Sequence, residues 1–308
     1  METSNKKIRV AILLHGQPRF FEHTYKNIVK NYTIDGCITH FFAHFWSEVG
    51  YYPGDDYSNT YINTEKEVDR CCKKIPIKKY VQENYNELDI LGKSLHIVNT
   101  FFNKSKVASL DHTRYRYYYG QHLSLNKCFC LMEKYELKNN FKYDVVIKVR
   151  TDWVYNDVNS TVKFKKYIDK CLEQNTLTCL SVKHSNLLTK KETFLSEIQC
   201  RNLNCNNDAL FVSDIFLFAS RDISSCVFKD YLFYCISKKI NYYNINQILG
   251  NICIVNNINI FKINLKPIKT FRLFLKDKCK NKWVKCSRQI PLPSLDCNIK
   301  HYIDKFTI

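Results

Sequence analysis

The first strong pattern in the chain is a continuous apolar run, Ile8–Leu14, closed by Gly16. A run without polar alternation suits a strand covered on both faces. Phe20–Tyr32 then carries helical spacing, with Phe21, Tyr25, Ile28, Val29 and Tyr32 on one side. Cys37–Trp46 reads as a second apolar strand, so this part of the chain is a βαβ unit and predicts a parallel sheet. Thr64–Glu87 reads as one or two polar helices, and Ser94–Phe102 as a further strand. The strongest helical stripe, Tyr115–Asn139, aligns Tyr118, His122, Leu125, Phe129, Met132 and Tyr135 and stops at a capping Asn139-Asn140 pair. Tyr143–Val149 is again a strand, running straight into Arg150-Thr151-Asp152-Trp153. Asp208–Ser220 reads as a buried strand pair or one bent strand, with helices at Tyr231–Ile240 and Ile245–Val255. The order predicts an α/β, Rossmann-like fold: a mixed, mainly parallel sheet flanked by helices over residues 1–265. Residues 266–308 are expected to be a basic extension packed on it.

A chain of 308 residues that is 45% hydrophobic can bury a full core. Its formal net charge of +18 favours anionic partners, whether nucleic acid, anionic lipid or phosphorylated small molecules, without choosing among them. The lysines are scattered. A denser stretch, Lys276–Arg288, alternates charge with Cys279, Trp283 and Val284 and reads by default as a solvated surface. The cysteine count, 15, is odd and no Cys-x-x-Cys occurs, which predicts reduced, mostly buried thiols rather than zinc or a disulfide framework. The apolar run Val10–Leu14 is too short for a signal-peptide core, and no stretch approaches the ~20 apolar residues of a membrane span. A cytoplasmic protein is expected, with the sequons at Asn31, Asn103 and Asn159 unused.

Glycine, with only 7 in the chain, excludes two nucleotide-binding solutions. A dinucleotide fingerprint needs three glycines in six residues, and a P-loop two plus Lys-Ser/Thr. The first strand is followed by Gly16 alone.

That strand leads into His15-Gly16-Gln17-Pro18-Arg19, at the end where α/β sheets bind ligands. Gly16 lets the backbone approach a ligand, and Arg19 at a helix start adds a guanidinium fork to a site already favourable to anions. Arg150-Thr151-Asp152 ends a second strand, placing a carboxylate beside a positive charge. That suits Mg²⁺ or Mn²⁺, which takes one or two oxygens from protein and the rest from phosphate and water. His44, next to Trp46, is a candidate sugar contact, whereas His40 reads as a core residue. Asp208 and Asp214 are candidate bases for deprotonating an acceptor hydroxyl. Asp214 is favoured because it interrupts an apolar run, where a carboxylate is costly without a role or a partner.

Gly16-Gln17-Pro18-Arg19-Phe20 and Tyr143-Asp144-Val145-Val146-Ile147 with Arg150-Thr151-Asp152 together resemble the glycosyltransferases of the GT-A type found in bacterial and giant-virus polysaccharide clusters. Phe41–Trp46 is similar to that family's Phe-x-His-x-Trp strand, the Tyr119–Tyr135 segment to its preceding helix, and Ser213-Asp214-Ile215-Phe216 to a later strand. The likeness covers roughly residues 8–255. It implies a nucleotide-diphosphate-sugar donor and a glycan or other hydroxyl acceptor. Asp152 would be the metal-binding carboxylate, with His15, Gly16, Gln17, Arg19, Arg150 and Trp153 on the donor side. Where the family often carries Glu in its late helix, this chain has Gln247, so that residue cannot serve as a base here. The alternatives are a nucleic-acid-binding protein, for which no recognisable motif or basic stripe exists, and an inactive sugar- or nucleotide-binding relative.

Overall fold

The structure is a computed structural model that describes residues 7–18, 21–49, 62–63, 65–84, 112–151, 154–155, 160–180, 182–186, 192–194, 197–200, 203, 208–213, 216–229, 245–263, 267–268, 273–277 and 282–286. The first half of the chain forms β1 (Arg9–Gly16), α1 (Phe21–Tyr32), β2 (Ile38–Trp46), β3 (Glu48–Val49), β4 (Ile62–Asn63), α2 (Glu65–Cys72), β5 (Ile77–Glu83), α3 (His112–Lys138) and β6 (Val145–Val149). Next come β7 (Val154–Tyr155), α4 (Ser160–Gln174), β8 (Leu177–Cys179), β9 (Val182–Asn186), β10 (Glu192–Phe194), β11 (Glu197–Ile198), β12 (Asp208–Val212) and β13 (Phe216–Ser220). A short α5 (Arg221–Ser224) runs into a π-turn at Ser225–Lys229. Beyond it lie α6 (Ile245–Val255), β14 (Ile260–Lys262), β15 (Pro267–Ile268), which pairs with β7, and a β16–β17 hairpin (Leu273–Asp277 and Lys282–Cys286).

Eight strands make the main sheet in the order β11-β14-β8-β13-β6-β1-β2-β5. The strands β5, β2, β1 and β6 are mutually parallel, as are β8 and β14, while β13 runs antiparallel to both of its neighbours. This is the mixed, mainly parallel α/β sheet expected from the sequence.

Side chains alternate across it with the period of two that a strand imposes. Val10, Ile12 and Leu14 of β1, with Val145, Ile147 and Val149 of β6, pack beneath α1, α2 and α4. Ala11, Leu13, Phe42 and Val146 face the other way, against Leu125, Cys128, Phe129 and Met132 of α3, and α6 covers the same side. By the same alternation, His15, His44 and Lys148 lie on the α3 face at the C-terminal ends of their strands.

Glycine scarcity shows in how the helices stop. Asn140, Asn175 and Asn257 each take a positive φ just past α3, α4 and α6. In each case the next amide closes back five residues: Phe141 N to Glu136 O at 3.2 Å, Thr176 N to Cys171 O at 3.2 Å and Ile258 N to Cys253 O at 2.8 Å. These are Schellman endings with Asn in the seat usually given to Gly, and each turns the chain into a strand of the main sheet.

Three sequence expectations need correction. The segment 64–87 is not helical throughout: α2 ends at Cys72 and β5 pairs in parallel with β2 at the sheet edge. An edge strand buries little, so Lys78, Lys79, Gln82 and Glu83 disguise it as a polar helix. The stretch 208–220 is two strands that do not pair with each other, since β12 joins β9 in a separate three-stranded sheet while β13 sits in the main one. His40 is only half-buried, its Nδ1 2.8 Å from the Tyr143 hydroxyl. The expected strand 94–102 and helix 231–240 lie outside the described residues.

Cys37, Cys71, Cys72, Cys128, Cys130, Cys171, Cys179, Cys200, Cys226 and Cys253 are free thiols. Among the described residues no helix is long and apolar enough to cross a membrane.

Candidate active site

Between β1 and β6 the chain changes direction across the sheet: β1 leads through α1 to β2 on one side, whereas β6 lies on the other. Such a topological switch point opens a crevice outside the carboxyl ends of the two strands, and ligands of α/β sheets bind there. The two loops singled out in the sequence, after Gly16 and after Val149, are the two that flank it.

Direct contacts join those loops. Thr151, 2% exposed, donates its hydroxyl to the Gln17 carbonyl at 3.3 Å. Its own carbonyl accepts the Thr24 hydroxyl of α1 at 2.5 Å. Gly16 has φ +92°, a conformation that L side chains rarely adopt, and an added Cβ would meet nothing within 4 Å. Its amide donates to Ser124 Oγ of α3 at 2.7 Å. The loop after β1 is thus tied to α3 at one residue and to the loop after β6 at the next.

Ser124 is a junction. Its oxygen also lies 2.8 Å from His44 Nδ1 and 2.8 Å from the His44 carbonyl, to which it donates. His44 Nε2 is 3.5 Å from Glu83 Oε2, and Glu83 pairs with Lys127. Trp46 stands edge-on to His44 and donates its indole N–H to the Gly120 carbonyl at 3.2 Å.

The expected sugar contacts are both buried: His44 is 1% and Trp46 3% exposed, and α3 lies over both. The sequence shows a His and a Trp near a strand end but not the helix that covers them.

Behind the crevice is a basic layer. His15 is 5%, His122 6% and Lys148 1% exposed, with Arg150 half-buried at the end of β6. Burial, then the charges of Lys148 and His122, and last Arg150, hold His15 well below the ordinary histidine pKa, against an opposing hydrogen bond with the Gln121 backbone. Burial and Lys148 do the same to His122. Burial, with Lys127, lowers His44 to about 4 against the pull of Glu83. Clustered perturbed groups at a crevice are what a functional site accumulates.

Stability should track these shifts. All three histidines stay neutral when folded but protonate near pH 6.5 when unfolded, so their contribution is complete above that pH and is lost as pH falls. Urea midpoints measured from pH 7.5 down to pH 5 should decline, each histidine adding a slope of up to about 1.4 kcal/mol per pH unit. A flat profile would contradict the burial of neutral imidazoles.

Of the remaining expected residues, Arg19, Asp152, Trp153 and Asp214 lie outside the described residues. Asp208 opens β12, paired opposite Asn186, and Phe216, two residues after Asp214, sits opposite Val149 at the end of β6. Sequence reasoning passed over Ser124, Thr151 and Lys148. Lys148 carried a legible signal, a charge inside the apolar run Val145–Val149. Ser124 carried none.

No protein-family model matches the chain, and no curated protein matches it. Solved structures that the chain is similar to include core-mannan synthase A from Aspergillus fumigatus in its Mn/GDP form. It is 9% identical, with a TM-score of 0.38 over 82% of this chain and 71% of that one. The galactosyltransferase LgtC, in complex with donor and acceptor sugar analogs, is 10% identical with a TM-score of 0.35, over 83% and 73% of the two chains. 4-Diphosphocytidyl-2C-methyl-D-erythritol synthase from Anaerococcus prevotii is 9% identical with a TM-score of 0.36, over 86% and 92%.

Among the described residues no group of His, Cys, Asp and Glu could hold a metal ion. The described part of the crevice offers a positive charge and neutral imidazoles rather than carboxylates.

Proposed function

We propose that the chain is a glycosyltransferase that takes a sugar from a nucleotide-diphosphate donor and passes it to a glycan or other hydroxyl acceptor. The observation that carries this reading is the Thr151–Gln17 hydrogen bond, which makes the two strand-end loops a single site at the switch point. Gly16 lets the donor's diphosphate come close to backbone, and Arg19 and Arg150 neutralise charge as the nucleoside diphosphate departs. Asp152 would hold Mn²⁺ or Mg²⁺, which when bound supplies further charge neutralisation on the leaving group. Trp153 is assigned to stacking on the sugar or base, and Asp214, with Asp208 as second candidate, to taking the proton of the acceptor hydroxyl. His44 and Trp46, being buried, shape the site from behind. The free thiols support work in a reducing compartment such as the cytoplasm.

UDP-, GDP- and dTDP-sugars screened by thermal shift with and without Mn²⁺ should give one donor-specific, metal-dependent stabilisation. Asp152→Asn should abolish the metal dependence and reduce turnover by a factor on the order of 10² or more. A chain that responds to no nucleotide sugar, or an Asp152→Asn variant with unaltered metal-dependent turnover, refutes the reading.

A further inference from the structure

Ser124 Oγ has one proton and two lone pairs for the Gly16 amide at 2.7 Å, the His44 carbonyl at 2.8 Å and His44 Nδ1 at 2.8 Å. An amide can only donate and a carbonyl can only accept. The hydroxyl proton therefore goes to the carbonyl and one lone pair takes the amide. The contact with the ring is then a hydrogen bond only if Nδ1 donates it. Burial keeps the His44 ring neutral, with a single N–H to place. Only the Nδ1–H tautomer makes all of these bonds together.

That tautomer leaves Nε2 with a bare lone pair. Nε2 has no hydrogen-bond partner, and it faces Glu83 Oε2, another acceptor, at 3.5 Å. Left alone, this carboxylate would draw a proton to Nε2, making Nδ1 an acceptor set against the lone pairs of Ser124. Lys127 opposes that pull. Its ammonium pairs with the same Oε2, and its charge works against a further proton on the ring. Lys127 follows Ser124 by three residues on α3, which puts the two on neighbouring turns. The ring is 1% exposed, whereas Lys127 is 36% and Glu83 38% exposed, so a surface pair controls a buried proton.

We infer that the Lys127–Glu83 pair, acting through the His44 ring, holds the tautomer that lets Ser124 anchor Gly16. Lys127, His44 and Ser124 are thus positioning residues for the loop after β1. This rests on reading that loop as the diphosphate side of a donor site, and adds what fixes its backbone. The anchor holds Gly16 in its turn at φ +92°, so the loop is ordered before a ligand arrives and binding loses less to ordering it.

Near neutral pH, long-range ¹H–¹⁵N correlations on the unmodified chain should show the His44 proton on Nδ1. Lys127→Met, a change at the surface, should move the ring toward the Nε2–H form and speed hydrogen exchange at the Gly16 amide. It should also raise the donor KM by up to about tenfold with kcat little changed, the loss expected for one positioning hydrogen bond. Lys127→Arg, which keeps a charge on Glu83, should restore all three, whereas a merely structural role would leave the tautomer where it was. Ser124→Ala should release the Gly16 amide directly. An Nε2–H ring in the unmodified chain, or a ring and a Gly16 amide unmoved by Lys127→Met, overturns the inference. A donor KM that stays put while ring and amide both change also defeats it, with the glycosyltransferase reading left intact. Ring and amide changes in a chain that ignores every nucleotide sugar would remove that reading and keep the anchor.

Discussion

Arg221→Ala should lower the free energy of unfolding by about 3–5 kcal/mol, the usual cost of stranding a buried charge. Arg221 heads α5, and its side chain closes the far end of α3 onto the sheet. Its Nε donates to Glu136 Oε1 at 2.9 Å and Nη2 to Glu136 Oε2 at 2.8 Å, in the two-pronged geometry that only a guanidinium supplies. Nη2 also reaches Glu133 at 3.1 Å, Nη1 donates to Ser225 Oγ at 2.7 Å, and the group lies 4.8 Å from the centre of the Phe129 ring. The Glu136 side chain is 5% exposed and also accepts the Tyr143 amide at 2.9 Å. Removing the arginine leaves that carboxylate enclosed with one neutral donor. Glu133 keeps Lys229 at 2.7 Å and suffers less. The double change Arg221→Met with Glu136→Gln should recover most of the loss, because an apolar replacement beside a neutral acceptor strands no charge. Urea unfolding with an unchanged m-value is the measurement. A single-variant loss below about 1 kcal/mol would place the network among surface pairs.

Gly250→Ala should destabilise the chain by about 2–3 kcal/mol, against the sign that helix propensity predicts. Inside a helix Ala is favoured over Gly by roughly 1 kcal/mol. Here α6 lies so close to β12 that an added Cβ would sit 1.9 Å from the Leu210 carbonyl oxygen and 2.5 Å from its carbon. Those atoms are backbone, so they cannot rotate aside as a side chain would. The helix and the strand must separate, loosening the packing of Leu210 and Val212 against Leu249, Ile252 and Cys253. Thermal melting should register a fall of several degrees, with Gly250→Ser no better. A rise in melting temperature would mean that α6 and β12 do not pack this closely.

How far the sequence could be read depended on what kind of information each feature carries. The apolar runs at β1, β2 and β6 and the stripe of α3 were legible because burial on a regular element repeats at two or 3.6 residues. The edge strand β5 was not, because it depends on backbone pairing with β2 and none of its side chains is fully buried. Among site residues, Gly16 and Arg150 announced themselves by type and position. His44 and Trp46 stood out by type near a strand end, but that α3 covers them was not legible. Lys148 could have been found by the reasoning applied to Asp214, whereas Ser124, an ordinary residue on a helix, could not.

The sequence alone determined β1, β2, β6 and the long α3, the faces they bury, the asparagine stop after α3, and that no glycine-rich nucleotide loop is present. These are local properties, set by side-chain period and backbone preference. Tertiary structure decided which strand ends meet and what surrounds them. Gly16 and Ser124 are 108 residues apart, Thr24 and Thr151 127, and Gln17 and Thr151 134. Contacts at such separations leave no periodic trace, because they depend on sheet order and on which helix lies over which strand. That order placed the switch point between β1 and β6, joined two ordinary-looking loops into one site, and set two buried histidines and a lysine behind it.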